Sequence, residues 1–164
     1  MIKRSWATFG SIAAVVAMVI IPAPSASAGG FTGEIRNKNS GRCLEIADWS
    51  TANGAVARQW SCTGGANQKW TYDLNTGYIK NANSGLCLEI ADWSTANGAV
   101  ARQWSCTGGA NQKWDYLFYS NDTPYFGLAN QNSDRVLEIA DWSTANGAIA
   151  RQWGLTGGAN QKWL

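Results

Sequence analysis

Apolar and polar residues alternate over short runs separated by turn residues, and one such run is written three times. Residues 43–70 read CLEIADWSTANGAVARQWSCTGGANQKW; they return unchanged at 87–114 and, with four substitutions, at 136–163. Within a copy, Leu44 and Ile46 alternate with Cys43 and Glu45, the period of two that marks a strand. Asn53-Gly54 is a strong hairpin signal, because both residues tolerate the positive φ of tight turns. The pattern predicts a second strand over 55–60, a turn over 63–66 and a short closing strand over 68–70. A preceding strand fits 34–37, with 78–81 and 126–129 as its equivalents. No helical apolar period extends beyond a turn or two after residue 28.

Four short strands in each copy predict an all-β chain of about twelve strands. A repeat of about 40 residues cannot bury its apolar face alone, so the three copies must share one core. A closed barrel with pseudo-threefold symmetry hides the strand edges most economically. The first two copies start 44 residues apart and the last two 49 apart. The link after Trp114 therefore carries five extra residues, and that link alone breaks the spacing.

The first 28 residues stand outside this pattern. Lys3 and Arg4 precede an apolar run over 12–21, then Pro22, Pro24 and the small residues Ala26-Ser27-Ala28. These are the parts of a secretory signal peptide, and the run falls short of the roughly 20 residues that span a bilayer. The expected mature chain is a secreted single domain over 29–164 that does not insert into membranes, with repeats at about 31–73, 74–117 and 118–164. Its charge differs from that of the precursor. Of 13 basic residues, Lys3 and Arg4 leave with the leader, so 11 basic residues face 11 acidic ones. The precursor's pI of about 8.4 thus carries no nucleic-acid signal, and clustered Lys and Arg are absent.

Cys43 and Cys62 lie 19 apart, as do Cys87 and Cys106; in the third copy both positions change together, to Val136 and Leu155. A bridge is useful only with both ends, so of the three possible connectivities the joint loss favours pairs within each copy. Such a bridge contributes about 3 kcal/mol in the chain-entropy account. In the third copy the apolar pair is expected to pack in the same space. Zinc fits poorly, since there is no CxxC pair and no histidine.

The triplets Gln68-Lys69-Trp70, Gln112-Lys113-Trp114 and Gln161-Lys162-Trp163 resemble the QxW signature of ricin-B-type β-trefoil lectins. Cys-Leu-Glu-Ile resembles that family's Cys-Leu-Asp-Val opening, and Gln59-Trp60-Ser61-Cys62 and Gly64-Gly65-Ala66-Asn67-Gln68 resemble its later segments. The likeness runs three times through the chain, in order, and is similar to small actinomycete lectins that bind galactose or L-rhamnose. It implies a β-trefoil, sugar binding without catalysis or cofactor, and buried Trp70, Trp114 and Trp163.

A neutral sugar offers hydroxyls and an apolar face, so its site needs a carboxylate, an amide and an aromatic platform. The resemblance places Glu45, Trp60 and Asn67 at those positions, with Gln68 orienting the carboxylate. The second copy supplies Glu89, Trp104, Asn111 and Gln112, and the third Glu138, Trp153, Asn160 and Gln161. Glu stands where the family has Asp, one C–C bond longer by roughly 1.5 Å. Arg58, Arg102 and Arg151 stand where many members are uncharged, so an ion pair with Glu45 is the competing role for that carboxylate. Asp48, Asp92 and Asp141 are then the reserve carboxylates, with Trp49, Trp93 and Trp142 as a second aromatic wall. Packing is the alternative for Trp60, a loop staple for Trp49, and bracing of the Gly-Gly turn for Asn67.

These readings describe a monomeric, multivalent lectin whose partners are glycans and which binds neither nucleic acid nor metal. Two other classes compete: a module for arabinan- or xylan-type polysaccharides, and an inhibitor-like trefoil that binds a protein through the insertion. Glu45 and Asp48 also superficially supply a hydrolase's acid and base, but three identical active sites on one small domain argue against it. Tyr116, Phe118, Tyr119, Tyr125 and Phe126 around the insertion form either an exposed contact patch or the closure of the barrel.

Overall fold

The computed structural model describes residues 30–164; the leader read at 1–28 lies outside the described residues. Eleven strands are present: β1 Gly30–Glu34, β2 Cys43–Ile46, β3 Ala57–Trp60, β4 Lys69–Asp73, β5 Tyr78–Asn81, β6 Cys87–Ile90, β7 Ala101–Trp104, β8 Trp114–Phe118, β9 Phe126–Asn130, β10 Val136–Ile139 and β11 Ala150–Trp153. Six 3-10 turns separate them, and all strand pairs are antiparallel. The twelfth expected strand is reduced to Trp163, which bridges Asn37 and Phe126 and so joins the end of the chain to its beginning.

The sheets run β1-β4-β5-β6-β7, β11-β10-β9-β8 and β2-β3. Bridges from Val56 to Arg102, Val100 to Arg151 and Arg58 to Ile149 link each copy to another, closing a ring of three. This is a β-trefoil. Its core repeats one set: Leu44, Ile46 and Trp70, then Leu88, Ile90 and Trp114, then Leu137, Ile139 and Trp163, all fully buried. Each tryptophan donates its Nε1–H to the carbonyl of its own copy's leucine, at 2.9, 3.0 and 3.1 Å. A buried indole N–H needs such a partner, and the bond sets each ring in the barrel.

The hairpin signal at Asn53-Gly54 is not a two-residue turn. Strand β2 pairs with β3 from Cys43↔Trp60 to Ile46↔Ala57, so ten residues, 47–56, connect them. Gly54 does adopt a positive φ of 87°, but its N–H donates to Gln103 O of the next copy. The Asn-Gly signal here reports a long loop docked on a neighbour. The alternation in β2 likewise does not divide a wet face from a dry one, because all four of its residues are buried.

Disulfides join Cys43 to Cys62 and Cys87 to Cys106, as the joint loss suggested. Their apolar replacement is only half realised: Val136 is buried, but Leu155 is 56% exposed. The position is an outward one even with the bridge, since Cys62 is half-buried and Cys106 exposed.

The insertion both closes and decorates the barrel. Phe126 is buried against Tyr116 and Phe31, with ring centroids 4.5 and 5.8 Å away, whereas Phe118 is 84% exposed. Asp122 accepts hydrogen bonds from Lys162 at 2.7 Å and from Lys38 at 2.7 Å, tying the last copy to the first. These bonds, that from Lys162 foremost, hold the Asp122 carboxyl below its ordinary range. A carboxylate depressed in the fold contributes stability that is present above its unfolded pKa, about 4, and lost as pH falls through the lower folded value. Asp122→Asn is therefore expected to lower the melting temperature near pH 7. The gap to the parent protein should close on acidification, as followed by thermal unfolding across pH.

Candidate functional site

Each copy builds its site from two loops and a strand pair. After β2 the chain makes a 3-10 turn, Ala47–Trp49, in which Asp48 and Trp49 both take left-handed φ, 55° and 57°. For residues with a Cβ this conformation costs about 1–2 kcal/mol each, so it persists only where the surroundings hold it. Here they do. Asn83 Nδ2 donates to Trp49 O at 3.1 Å, and Gln103 Nε2 donates to Ser50 O and Ala52 O, both at 2.9 Å. All of these donors belong to the next copy. The other copies repeat the geometry at Asp92 and Trp93 and at Asp141 and Trp142.

The second loop, with the 3-10 turn Ala66–Gln68, slides Asn67 and Gln68 beneath β2. There Glu45 is only 4% exposed, and both of its oxygens are engaged. Arg58, its direct cross-strand partner, donates from Nε to Oε1 at 2.9 Å. Gln68 Nε2 and Asn67 Nδ2 donate to Oε2 at 2.9 and 3.3 Å. Arg58 then reaches outward, from Nη2 to Asp48 Oδ1 at 3.0 Å, while its guanidinium carbon lies 4.6 Å from the centre of the Trp60 ring. One arginine thus joins a buried carboxylate, an exposed carboxylate and an aromatic ring. The second and third copies reproduce the set, with Arg102 and Arg151 at 2.9 Å from Glu89 and Glu138 and 3.1 Å from Asp92 and Asp141.

Glu45, Asp48, Trp49, Arg58, Trp60, Thr63 and Asn67 line one open cleft, and their equivalents in the second copy line another. Above the buried layer, the Asp48 side chain is 83% exposed and the Trp49 residue 55% exposed. A Cβ on Gly65 would sit 2.7 Å from Trp49 Cζ2 and from Asn67 Oδ1, so the missing side chain there lets the indole edge lie on the Gly-Gly turn. Asn67 Oδ1, Asn111 Oδ1 and Asn160 Oδ1 are buried with no hydrogen-bond partner among the described residues. Each cleft wall thus holds an unmet acceptor, a costly arrangement unless something donates to it.

Both residue sets that the sequence offered meet in the same cleft, at different depths. Glu45, Asn67 and Gln68 form the floor; Asp48 and Trp49 form the rim; Trp60 is half-buried between them. Gln68, buried beneath, donates from Nε2 to Glu45 Oε2 and to Ser61 O. Asn67 does not brace the Gly-Gly turn: its amide donates to Glu45 Oε2 and Ile46 O, while Thr63 N–H binds Gln68 Oε1 at 2.7 Å and Gly65 N–H binds Thr63 Oγ1. Thr63 was missed as a lining residue. So were the left-handed pair and the reach of each loop across to another copy, since neither leaves a local sequence signal for an Asp-Trp dipeptide.

An acidic and aromatic cleft repeated around a threefold barrel defines a sugar-binding trefoil. The model of the ricin-type β-trefoil lectin domain matches residues 31–163, and the chain belongs to that family of carbohydrate-binding domains. Among solved structures it is similar to ThreeFoil, a designed threefold-symmetric protein, at 34% identity and a TM-score of 0.77 over 80% of this chain and 95% of that one. It is also similar to 1,3Gal43A, an exo-β-1,3-galactanase from Clostridium thermocellum, at 34% identity and a TM-score of 0.75, over 80% of this chain and 29% of the enzyme. A shorter likeness, 40% over 38 residues, connects 23% of the chain with 7% of serine protease 1 from Rarobacter faecitabidus. The chain therefore spans less than a third of either natural relative.

Two substitutions probe the layers separately. Arg58→Ala leaves Glu45 buried without its cation, and chemical denaturation should register a loss of about 3 kcal/mol. Gly65→Ala forces the Trp49 indole or the Asn67 amide to move, with an expected cost of about 1–3 kcal/mol. A displaced Trp49 indole N–H resonance would report the movement.

Proposed function

We propose that the protein is a secreted, non-catalytic, multivalent lectin that binds neutral sugars in three corresponding clefts, one in each copy. The observation that carries the reading is the threefold pairing of an exposed tryptophan with an exposed, arginine-anchored aspartate: Trp49 with Asp48, Trp93 with Asp92 and Trp142 with Asp141. The apolar face of a sugar lies on the indole. Its hydroxyls donate to the free oxygen of Asp48 and accept from the remaining N–H groups of Arg58, with Trp60 as the inner wall. Glu45 and Gln68 serve from beneath by holding Arg58 and the floor in place. This division of labour assigns hydroxyl contact to the aspartate, and support to the glutamate that the family resemblance singles out.

Galactose-configured and L-rhamnose-type ligands fit an indole platform beside an acceptor carboxylate, and the likeness to the galactanase favours the former. The absence of catalysis rests on the same geometry: Glu45 and Asp48 are both bound to Arg58, in every copy alike. Secretion is supported by the leader read at 1–28 and by the two disulfides, which persist in oxidising compartments. Three clefts on one chain would raise apparent affinity for a multivalent surface by about 10² to 10⁴ over a single site, which suits agglutination.

Calorimetric titration of residues 29–164 against galactose, L-rhamnose, mannose, arabinose and xylose tests this. Saturation near three sugars per chain is expected, and Trp49→Ala or Asp48→Ala should each remove one site without unfolding the domain. Full stoichiometry retained after Trp49→Ala would sink the rim assignment. Release of reducing sugar from a polysaccharide, abolished by Glu45→Gln, would sink the non-catalytic reading.

A further inference from the structure

The loop that carries each Asp-Trp rim is docked on the next copy by the same bonds in all three places, with two exceptions. Asn83, Asn132 and Asn39 donate to Trp49 O, Trp93 O and Trp142 O at 3.0–3.1 Å. Gln103, Gln152 and Gln59 clasp two carbonyls of each loop, and the amides of Gly54, Gly98 and Gly147 return bonds to those glutamines. The lesser exception is Gly154, which bonds Asn97 through its N–H alone, whereas Ser61 and Ser105 add a hydroxyl bond of 3.2 Å to Asn146 and Asn53. The larger, a charged donor, lies just before each copy. Arg42 donates from Nε to Thr144 O at 2.6 Å, and Arg135 does the same to Thr95 O at 2.6 Å. The equivalent residue before the second copy is Leu86, which has no donor to offer Thr51.

We propose that the three clefts are unequal, and that Leu86 leaves the Asp48–Trp49 rim of the first copy less firmly held than the rims that Arg135 and Arg42 clamp. These arginines are positioning residues: they touch the rim loops, not the sugar. The rim most depends on such a clamp because its two left-handed residues must be held by their surroundings. The acceptors an arginine would need are still present around Leu86. Thr51 offers its carbonyl, and Ser105 occupies the place of Ser61, whose Oγ accepts from Arg42 Nη1 at 2.6 Å. The first copy therefore lacks the clamp and keeps its socket.

The functional part rests on the clefts being the sugar sites, so the test has one arm with ligand and one without. Hydrogen exchange of the Gly54, Gly98 and Gly147 amides compares three loops of the same Asn-Gly-Ala sequence. Gly54 should exchange roughly two- to tenfold faster than Gly147, whose loop differs from it by the arginine bond alone, the span of one modest hydrogen bond. Leu86→Arg should bring it level, and Arg135→Leu should speed Gly98 without moving Gly147. Equal exchange of the three in the parent protein, or a Gly54 rate indifferent to Leu86→Arg, overturns the proposal. In the ligand arm, chains retaining only the first cleft, through Trp93→Ala and Trp142→Ala, should bind sugar more tightly once Leu86→Arg is added. Unchanged affinity there, alongside measurable binding, overturns the functional part. Failure of every cleft to bind any sugar would instead sink the lectin assignment, and the exchange rates would still decide the inequality.

Discussion

Everything in the clefts depends on one buried carboxylate in each copy. Glu45 lies under the sheet surface with three hydrogen-bonding partners, and a lone carboxylate there would be strongly disfavoured. Arg58 supplies the countercharge from directly across the hairpin, and Asn67 and Gln68 complete the shell from the following turn. Because Arg58 is fixed from below by Glu45, its outer nitrogen is held at a set height, and that height fixes where Asp48 sits. The charge that organises the cleft is thus hidden from solvent, while the exposed one is placed by it at second hand.

The same device explains why the copies can be nearly identical and still form one body. Each floor is assembled within its own copy, from β2, β3 and the turn that follows, whereas each rim loop is held from outside. The Gln59, Gln103 and Gln152 side chains are the joints between copies: each sits on one copy's inner strand and grips the loop of another. The disulfides lie within copies and contribute nothing to this joining, which is consistent with the third copy having dispensed with one.

The fold was legible because its evidence is periodic. A perfect repeat, a Trp at the same place in each, and turn residues between short alternating runs leave little freedom in architecture. The floor was also legible, since Glu45 and Arg58 oppose each other in any antiparallel pairing of their strands. What escaped had no local mark. Tryptophan in a left-handed conformation is unfavourable on propensity alone, so Trp49 could be placed only through bonds that Asn83 and Gln103 bring from over 30 residues away. At Asn53-Gly54 the signal found a positive φ, at Gly54, but not a tight turn, because ten residues connect the two strands. Leu155 shows a third kind of limit: an apolar replacement for cysteine does not mark a buried position, because the bridged Cys62 and Cys106 there are themselves half-buried and exposed.

The loop of the first copy rests on the second, that of the second on the third, and that of the third on the first. Such a cycle has no terminal member, so no copy owns a complete cleft: its floor is its own and its rim is on loan. A single repeat cut out of this chain would not be a smaller lectin with one site. It would have to find two companions and close the same ring before any of the three had a complete cleft, which makes each cleft a property of the threefold assembly and of no part of it.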